Sequence, residues 1–228
     1  MSESLPVELG PDARRALEKV LELLAAERAS VSSVTSPAEA WKVHVADSLT
    51  GLEVEGLRSA SRIADIGSGA GFPGIVLAVA LPAAEVEMIE SVGRKCEFMR
   101  RAAFEAGIAN AKPVNARSEE LAGGAGREAY DAVTARAVGR LSTLAELASP
   151  LLRADGVLVA WKGRRDPDEE EELERAAAAL AMRPERILEV GPYAGSRHRH
   201  LHVLRKSGPT PGDLPRRAGM AKKRPRGS

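Results

Sequence analysis

"IADIGSGAGFPG", residues 63–74, runs from a short apolar stretch holding an aspartate into four glycines within eight positions. An apolar run of this length reads as a buried strand. A glycine-dense turn directly after it lets the backbone approach a ligand with no Cβ in the way. Pro73 suits the first position of a helix, whose free amides would face the same point. Strand, glycine turn and helix in that order predict a site for a ligand with an extended polar backbone.

Outward from this stretch, the same rhythm repeats from residue 61. Strands are predicted at 62–66, 85–89, 112–115, 131–135, 156–161, 186–190 and 201–205, and helices at 73–81, 93–106, 140–152 and 168–182. Parallel neighbours need crossover helices, so the pattern predicts an α/β fold with a doubly wound, seven-stranded, mostly parallel sheet. In such sheets ligands lie beyond the carboxyl ends of the strands, at the switch point beside the first strand, where the glycines fall. Upstream, "DARRALEKVLELLAAERA" places Leu17, Val20, Leu21 and Leu24 at helical spacing. A second helix starts at a capping box of Ser36 and Glu39 with Pro37 between them. Its apolar stripe is Trp41, Val45, Leu49 and Leu52, and His44, Asp47 and Ser48 share another face. The expected division is a helical extension over 1–56, a sheet domain over 57–206 and a flexible basic tail over 207–228.

Composition narrows the classes. With 228 residues, 44% apolar and a formal charge of +1, the chain suits one compact α/β-sized domain with a modest appendage. The start has no basic-then-apolar signal region, and the apolar stretch "GIVLAVALPAA" is cut by Pro82, short of the roughly 20 residues of a membrane span. The single Cys96 excludes an internal disulfide and a cysteine-based metal cluster. A soluble cytoplasmic monomer without a metal is the expectation. Residues 205–228 hold eight Lys/Arg against one Asp, a net +7, which leaves −6 for the rest. With few apolar side chains to repay its ordering, this tail is expected to be a loose arm that either solubilises the chain or touches phosphates.

Two ligand patterns compete at the glycines. Gly69, Gly71 and Gly74 match G-x-G-x-x-G of dinucleotide enzymes, and Asp65, Gly67, Gly69 and Gly71 match the D-x-G-x-G-x-G of S-adenosylmethionine (SAM) methyltransferases. A dinucleotide turn should begin at the residue directly after the strand, here Gly67, which puts Ala70 and Phe72 where its spacing would fall. The methyltransferase pattern starts on the strand itself. Glu90, at the tip of the second strand and 19 residues past Gly71, can accept both ribose hydroxyls of either cofactor. Ser118 and Glu119 in "NARSEEL" stand at the height of an adenine, and Arg136 in "DAVTARAVG" points to the mouth of the cleft.

These residues carry a resemblance. "RIADIGSGAGFPGIVLA", "MIESVGRKCEFMR", "NARSEEL", "TARAV", "WKG" and "RHLHVLRK" resemble the RsmG (GidB) family of bacterial small-subunit ribosomal RNA guanine-N7 methyltransferases. The likeness runs from about residue 36 to the end. It includes the helix bearing His44, Asp47 and Ser48, the pair Pro73-Gly74 and a tail similar to PR-x-x-G-x-x-KK-x-P closing at Pro225. It implies a class I methyltransferase domain of Rossmann-like fold, SAM as cofactor, and one guanosine of 16S rRNA near the decoding site as substrate. It also implies cofactor contacts from Gly67, Phe72, Ser118, Glu119 and Arg136. Where the family has N-L-T ahead of the second helix this chain reads "SVSSVTS", so no role of that asparagine carries over.

The chemistry agrees with the residue types present. Guanine N7 holds a lone pair and no proton, so methyl transfer needs alignment with a sulfonium and no general base. A hydrogen bond to guanine O6 would help, and Arg136 and Lys162 are the candidate donors. Arg94 and Lys95, with Arg197, Arg199, His200 and the tail, are expected to form a positive rim for RNA. Only 3% of residues are aromatic, which disfavours a base-stacking platform. The acidic run "DPDEEEELER" reads as a solvated helix start turned away from RNA. The rival readings are a small-molecule SAM methyltransferase, an NAD-dependent oxidoreductase and a non-catalytic RNA-binding module.

Overall fold

The structure, a computed structural model, describes residues 7–27 and 36–227. The "SVSSVTS" stretch therefore lies outside the described residues except for Ser36. Seven strands form one sheet in the order β3-β2-β1-β4-β5-β7-β6. They are β1 (Arg62–Ile66), β2 (Glu85–Glu90), β3 (Ala111–Asn115), β4 (Tyr130–Arg136), β5 (Leu152–Lys162), β6 (Met182–Glu189) and β7 (His200–Lys206). The first five run parallel, and β7 inserts antiparallel between β5 and β6. This is a doubly wound, Rossmann-like sheet with its switch point between β1 and β4.

Alternation along the central strands separates two apolar layers. Ile63, Val86, Met88, Ala132, Val157 and Val159 enter one core. Ala64, Ile66, Ile89, Val133, Ala135, Leu158 and Ala160 enter the other. The first layer is covered by α1 (Pro11–Ala26), α5 (Gly74–Ala80) and α6 (Gly93–Glu105), and the second by α8 (Leu141–Ala148) and α9 (Pro167–Ala177). Between α6 and α8 a short α7 (Ser118–Ala122) follows β3. Leu17, Val20, Leu21 and Leu24 of α1 sit in the same core as β1 and β2, so the N-terminal helices are a layer of the domain. Among the described residues no helix is long and apolar enough to cross a membrane.

The second helix is irregular where a regular one was expected. It runs as α2 (Pro37–Ala40), a π-helical turn (Trp41–Ala46), α3 (Asp47–Leu49), a 3-10 turn (Thr50–Glu53) and α4 (Glu55–Arg58). Side chains from the sheet claim its carbonyls. Arg136 Nη1 donates to Val43 O at 3.1 Å and Trp161 Nε1 to Asp47 O at 2.8 Å. Within the turn Asp47 N–H reaches Lys42 O, five residues back. A π turn of this kind re-aims the side chains on either side of it. The helix lies so close to the sheet that a Cβ at Gly51 would run into the Trp161 indole.

Two further expectations are corrected. The acidic run keeps Asp166, Asp168, Glu171 and Glu174 in solvent but turns two carboxylates inward. Glu169 and Glu172 are 6% and 5% exposed, because Glu169 accepts from Lys162 Nζ and Leu141 N–H, each at 2.7 Å, and Glu172 from Arg140 Nε at 2.7 Å. Nor is the tail a loose arm. Leu214 is buried in the second core and Arg127 Nη1 donates to its carbonyl. Arg216 forms a bidentate pair with the buried Glu146, and α10 (Met220–Lys223) lies against α8, with Thr143 Oγ1 donating to Ala221 O. Lys206, buried at the root of the tail, donates to Ser149 O, Ser149 Oγ and Thr210 Oγ1, and burial lowers its pKa to about 8. Counting the tail's charges as solvated hid these pairs: Arg205 meets Glu185, Arg216 meets Glu146 and Arg226 meets Asp213.

Arg216→Ala is expected to lower stability by about 2–3 kcal/mol in denaturant unfolding, less than for a fully buried pair because Arg216 is 22% exposed. Proteolytic cleavage within 207–227 should accelerate at the same time. Unchanged stability and cleavage would mean that this pair does not hold the segment.

Candidate active site

The site begins with a carboxylate that no ligand can reach. Asp65, fully buried on β1, accepts from Thr134 Oγ1 on β4 at 2.9 Å and from Gly74 N–H at the start of α5 at 3.0 Å. Burial raises its pKa to about 6, against the pull of these hydrogen bonds and the Arg136 charge. One side chain thus joins the two strands of the switch point to the far end of the glycine loop. It also takes a helix amide that the sequence had offered to a ligand.

Glu90 closes the loop from the other side. Its Oε2 accepts from Gly69 N–H at 3.1 Å and its Oε1 from Val92 N–H at 2.9 Å, while its carboxylate borders a cleft of about 500 Å³. That cleft lies over the ends of β1, β2 and β3. Ile66, Ile89, Val138 and Leu147 give it apolar walls, and Gly67, Glu90, Ser118 and Glu119 give it polar ones. Gly67 has φ +66°, and a Cβ there would stand 2.7 Å from Val138 Cγ2. The remaining wall is the C-terminal segment, with Gly219 N–H donating to Glu119 Oε1 at 2.7 Å and Lys222 and Lys223 on the rim.

A second cavity, of about 210 Å³, opens at the ends of β4 and β5. It is lined by Asp47, Arg136, Ala137, Gly139, Trp161, Lys162, Gly163 and Arg199. The turn 137–139 divides the two spaces, with Val138 on the larger and Ala137 and Gly139 on the smaller. Arg136 is the hub: Nη1 donates to Asp47 Oδ2 at 2.9 Å as well as to Val43 O, and its guanidinium lies 6.0 Å from the Phe72 ring centre. His44 stacks on Phe72 at 4.6 Å and turns Nδ1 toward Arg136 Nη2 at 3.5 Å. Burial, with the Arg136 charge adding to it, lowers the His44 pKa to about 4, so the ring is neutral at pH 7 and can accept from the guanidinium. Lys162 Nζ is steadied by Glu169 Oε1 and by Gly139 O at 3.1 Å, which leaves one of its three protons for the cavity.

Of the residues singled out by sequence, Gly67, Glu90, Ser118 and Glu119 meet around the larger cleft, and Arg136, Lys162 and Arg199 around the smaller cavity. Gly69, Gly71 and Phe72 line neither. Gly69 is tied to Glu90, Gly71 packs on Ile75, and Phe72 is buried in the stack with His44. Arg94 and Arg197 are exposed outside both spaces, Lys95 is half-buried on the first turn of α6, and His200 Nδ1 contacts Gly163 O at 2.8 Å. Sequence reasoning missed Asp47 as a site residue, although it had placed it on one face with His44. It also missed Arg117 and residues 218–223 of the larger cleft, the latter because the tail was expected to be free.

Comparison with known proteins agrees with this architecture. The GidB family, described as rRNA small subunit methyltransferase G, matches residues 14–201. Ribosomal RNA small subunit methyltransferase G of Rubrobacter xylanophilus is 45% identical over 92% of this chain and 82% of its own length. The protein of the same name from Deinococcus radiodurans is 39% identical over 91% and 83%. Among solved structures, the fibrillarin pre-rRNA processing protein of Methanococcus jannaschii superposes with a TM-score of 0.55 at 19% identity, over 72% of this chain and 74% of that one. A predicted O-methyltransferase of Agrobacterium tumefaciens superposes with a TM-score of 0.54 at 24% identity, over 72% and 80%. These structures share the fold. The sequence matches, spanning most of both partners, establish that the chain belongs to the GidB family of rRNA small subunit methyltransferases.

Proposed function

We propose that the chain transfers the methyl group of S-adenosylmethionine to N7 of one guanosine in the 16S rRNA of the small ribosomal subunit. The observation that carries this reading is the pair of adjoining spaces at the switch point. One has apolar walls and an acidic tip suited to a nucleoside, and the other is small, polar and rich in donors. Both are lined within a single chain.

The larger cleft fits the cofactor by its chemistry. Glu90 would accept from the ribose hydroxyls, Ser118 and Glu119 would face the adenine edge, and Gly67 would admit the chain of the ligand where a Cβ would not fit. Bound there, SAM supplies a sulfonium methyl. The protein's own part is to hold the base in line and dry, since N7 needs no proton removed. Arg136, fixed by Val43, Asp47 and His44, and Lys162, fixed by Glu169 and Gly139, are placed to donate to guanine O6 without reorganising. Around them Arg94, Lys95, Arg197, Arg199 and His200 serve as phosphate contacts. Arg217, Lys222, Lys223 and Arg224 join them, since these four make no ion pair among the described residues.

Methyl transfer from labelled SAM to small subunits or their RNA from cells lacking the modification should place label at N7 of a single guanosine, detected by cleavage specific for N7-methylguanosine. Label on a carbon, a ribose or an adenine would refute the assignment, and label on small molecules alone would favour the small-molecule methyltransferase.

Arg136→Ala should reduce kcat/KM by about 10²–10³-fold, the usual cost of losing one preorganised donor. A near wild-type rate would remove Arg136 from the site. Gly67→Ala should weaken SAM binding in calorimetric titration by more than about tenfold, because its φ of +66° and the Val138 contact both oppose a Cβ. Unaltered affinity would mean that the cofactor does not approach this loop.

A further inference from the structure

Methyl transfer to N7 with O6 held by cations uses only hydrogen-bond donors, yet the smaller cavity also contains an acceptor. Asp47 is buried, with its side chain 8% exposed, and it lines the space among Arg136, Lys162 and Arg199. Its Oδ2 is taken by Arg136 at 2.9 Å. Its Oδ1 accepts no hydrogen bond among the described residues, and a carboxylate has about four lone-pair positions to fill.

Beside it lies Arg199, an ion-pair partner that does not hydrogen-bond it. Arg199 Nε is buried, has no hydrogen-bond partner among the described residues, and stands 3.8 Å from Asp47 Oδ1, too far to satisfy it. Tyr193 also interacts with that guanidinium. A carboxylate oxygen that accepts no hydrogen bond, in a cavity whose other charged groups are the donors Arg136, Lys162 and Arg199, is the complement of a ligand with donor and acceptor side by side. The volume, about 210 Å³, equals roughly seven water molecules at ~30 Å³ each, room for one planar base.

Guanine carries that pattern. Along its Watson–Crick edge N1–H and the 2-amino group are donors, and O6 beside them is an acceptor. Adenine turns an N1 lone pair toward the same place and would meet the carboxylate with repulsion. Enzymes that modify a base take it out of the stack and read this edge in a pocket. We propose that Asp47 is the specificity residue of the site, accepting from N1–H and the 2-amino group of the target guanine and leaving O6 to the donors beside it. This inference rests on the methyl-transfer reading above.

Asp47 also holds Arg136, so loss of activity alone would not separate recognition from positioning. The discriminating test is a cycle between enzyme and base. Methyl-transfer kcat/KM is measured for wild type, Asp47→Ala and Asp47→Asn on small-subunit RNA bearing either guanosine or inosine at the target position, inosine lacking only the 2-amino group. Wild type should prefer guanosine by roughly 10- to 100-fold, as expected for a hydrogen bond to a charged acceptor. Both variants should show a preference within about threefold, whatever their absolute rates. Asp47→Asn retains an acceptor for Arg136 and so guards against misfolding, since its oxygen stays on the guanidinium and its NH₂ faces the base. A guanosine preference that is equal in wild type and variants, or absent in wild type, overturns the assignment and leaves the methyltransferase reading standing. Failure of wild type to methylate the guanosine RNA overturns both.

Discussion

The architecture depends on one buried carboxylate. Asp65 is cut off from solvent, and its two oxygens receive a hydroxyl from β4 and an amide from the start of α5. Without it, the ends of β1 and β4 would lose their link and the glycine loop would have no anchor at its far end. Its cost of burial shows in a pKa raised to about 6, and its hydrogen bonds are what make that burial tolerable. Glu90 repeats the device on the other side of the loop by binding Gly69 and Val92. Two acidic side chains thus hold a turn of glycines in the single shape that frames the larger cleft.

A second hub converts this frame into a site with two compartments. Arg136 leaves the end of β4 and draws the N-terminal helical run onto the sheet through Val43, His44 and Asp47. The same contacts divert backbone carbonyls and accompany the π turn at residues 41–46. The acidic start of α9 then steadies Lys162 from behind. Charges that a reader of the sequence would assign to solvent are spent on fixing other charges in place, which is the condition for electrostatic help in a reaction that moves no proton.

The parts visible in the sequence were those governed by local rules. Apolar runs in a repeating strand-turn-helix rhythm placed all seven strands and the main helices, and the glycine turn after β1 marked the candidate ligand side of the sheet. Glu90, Ser118 and Glu119, singled out because strand tips are where such folds bind, line the larger cleft. What escaped was set by pairings between distant segments. Composition cannot reveal that Arg216 finds Glu146 or that Glu172 finds Arg140, 70 and 32 residues away respectively. The C-terminal segment consequently became a wall of the larger cleft instead of an arm. Asp47 was visible on its helix face, but its place in the cavity follows only from the packing of that helix against β4 and β5.

The most direct check of the account is a crystal structure of the protein with S-adenosylhomocysteine. Density for the nucleoside should fill the cleft bounded by Gly67, Glu90 and Ser118, with its ribose against the Glu90 carboxylate. A ligand bound elsewhere, or residues 218–223 occupying that space in its presence, would contradict the account.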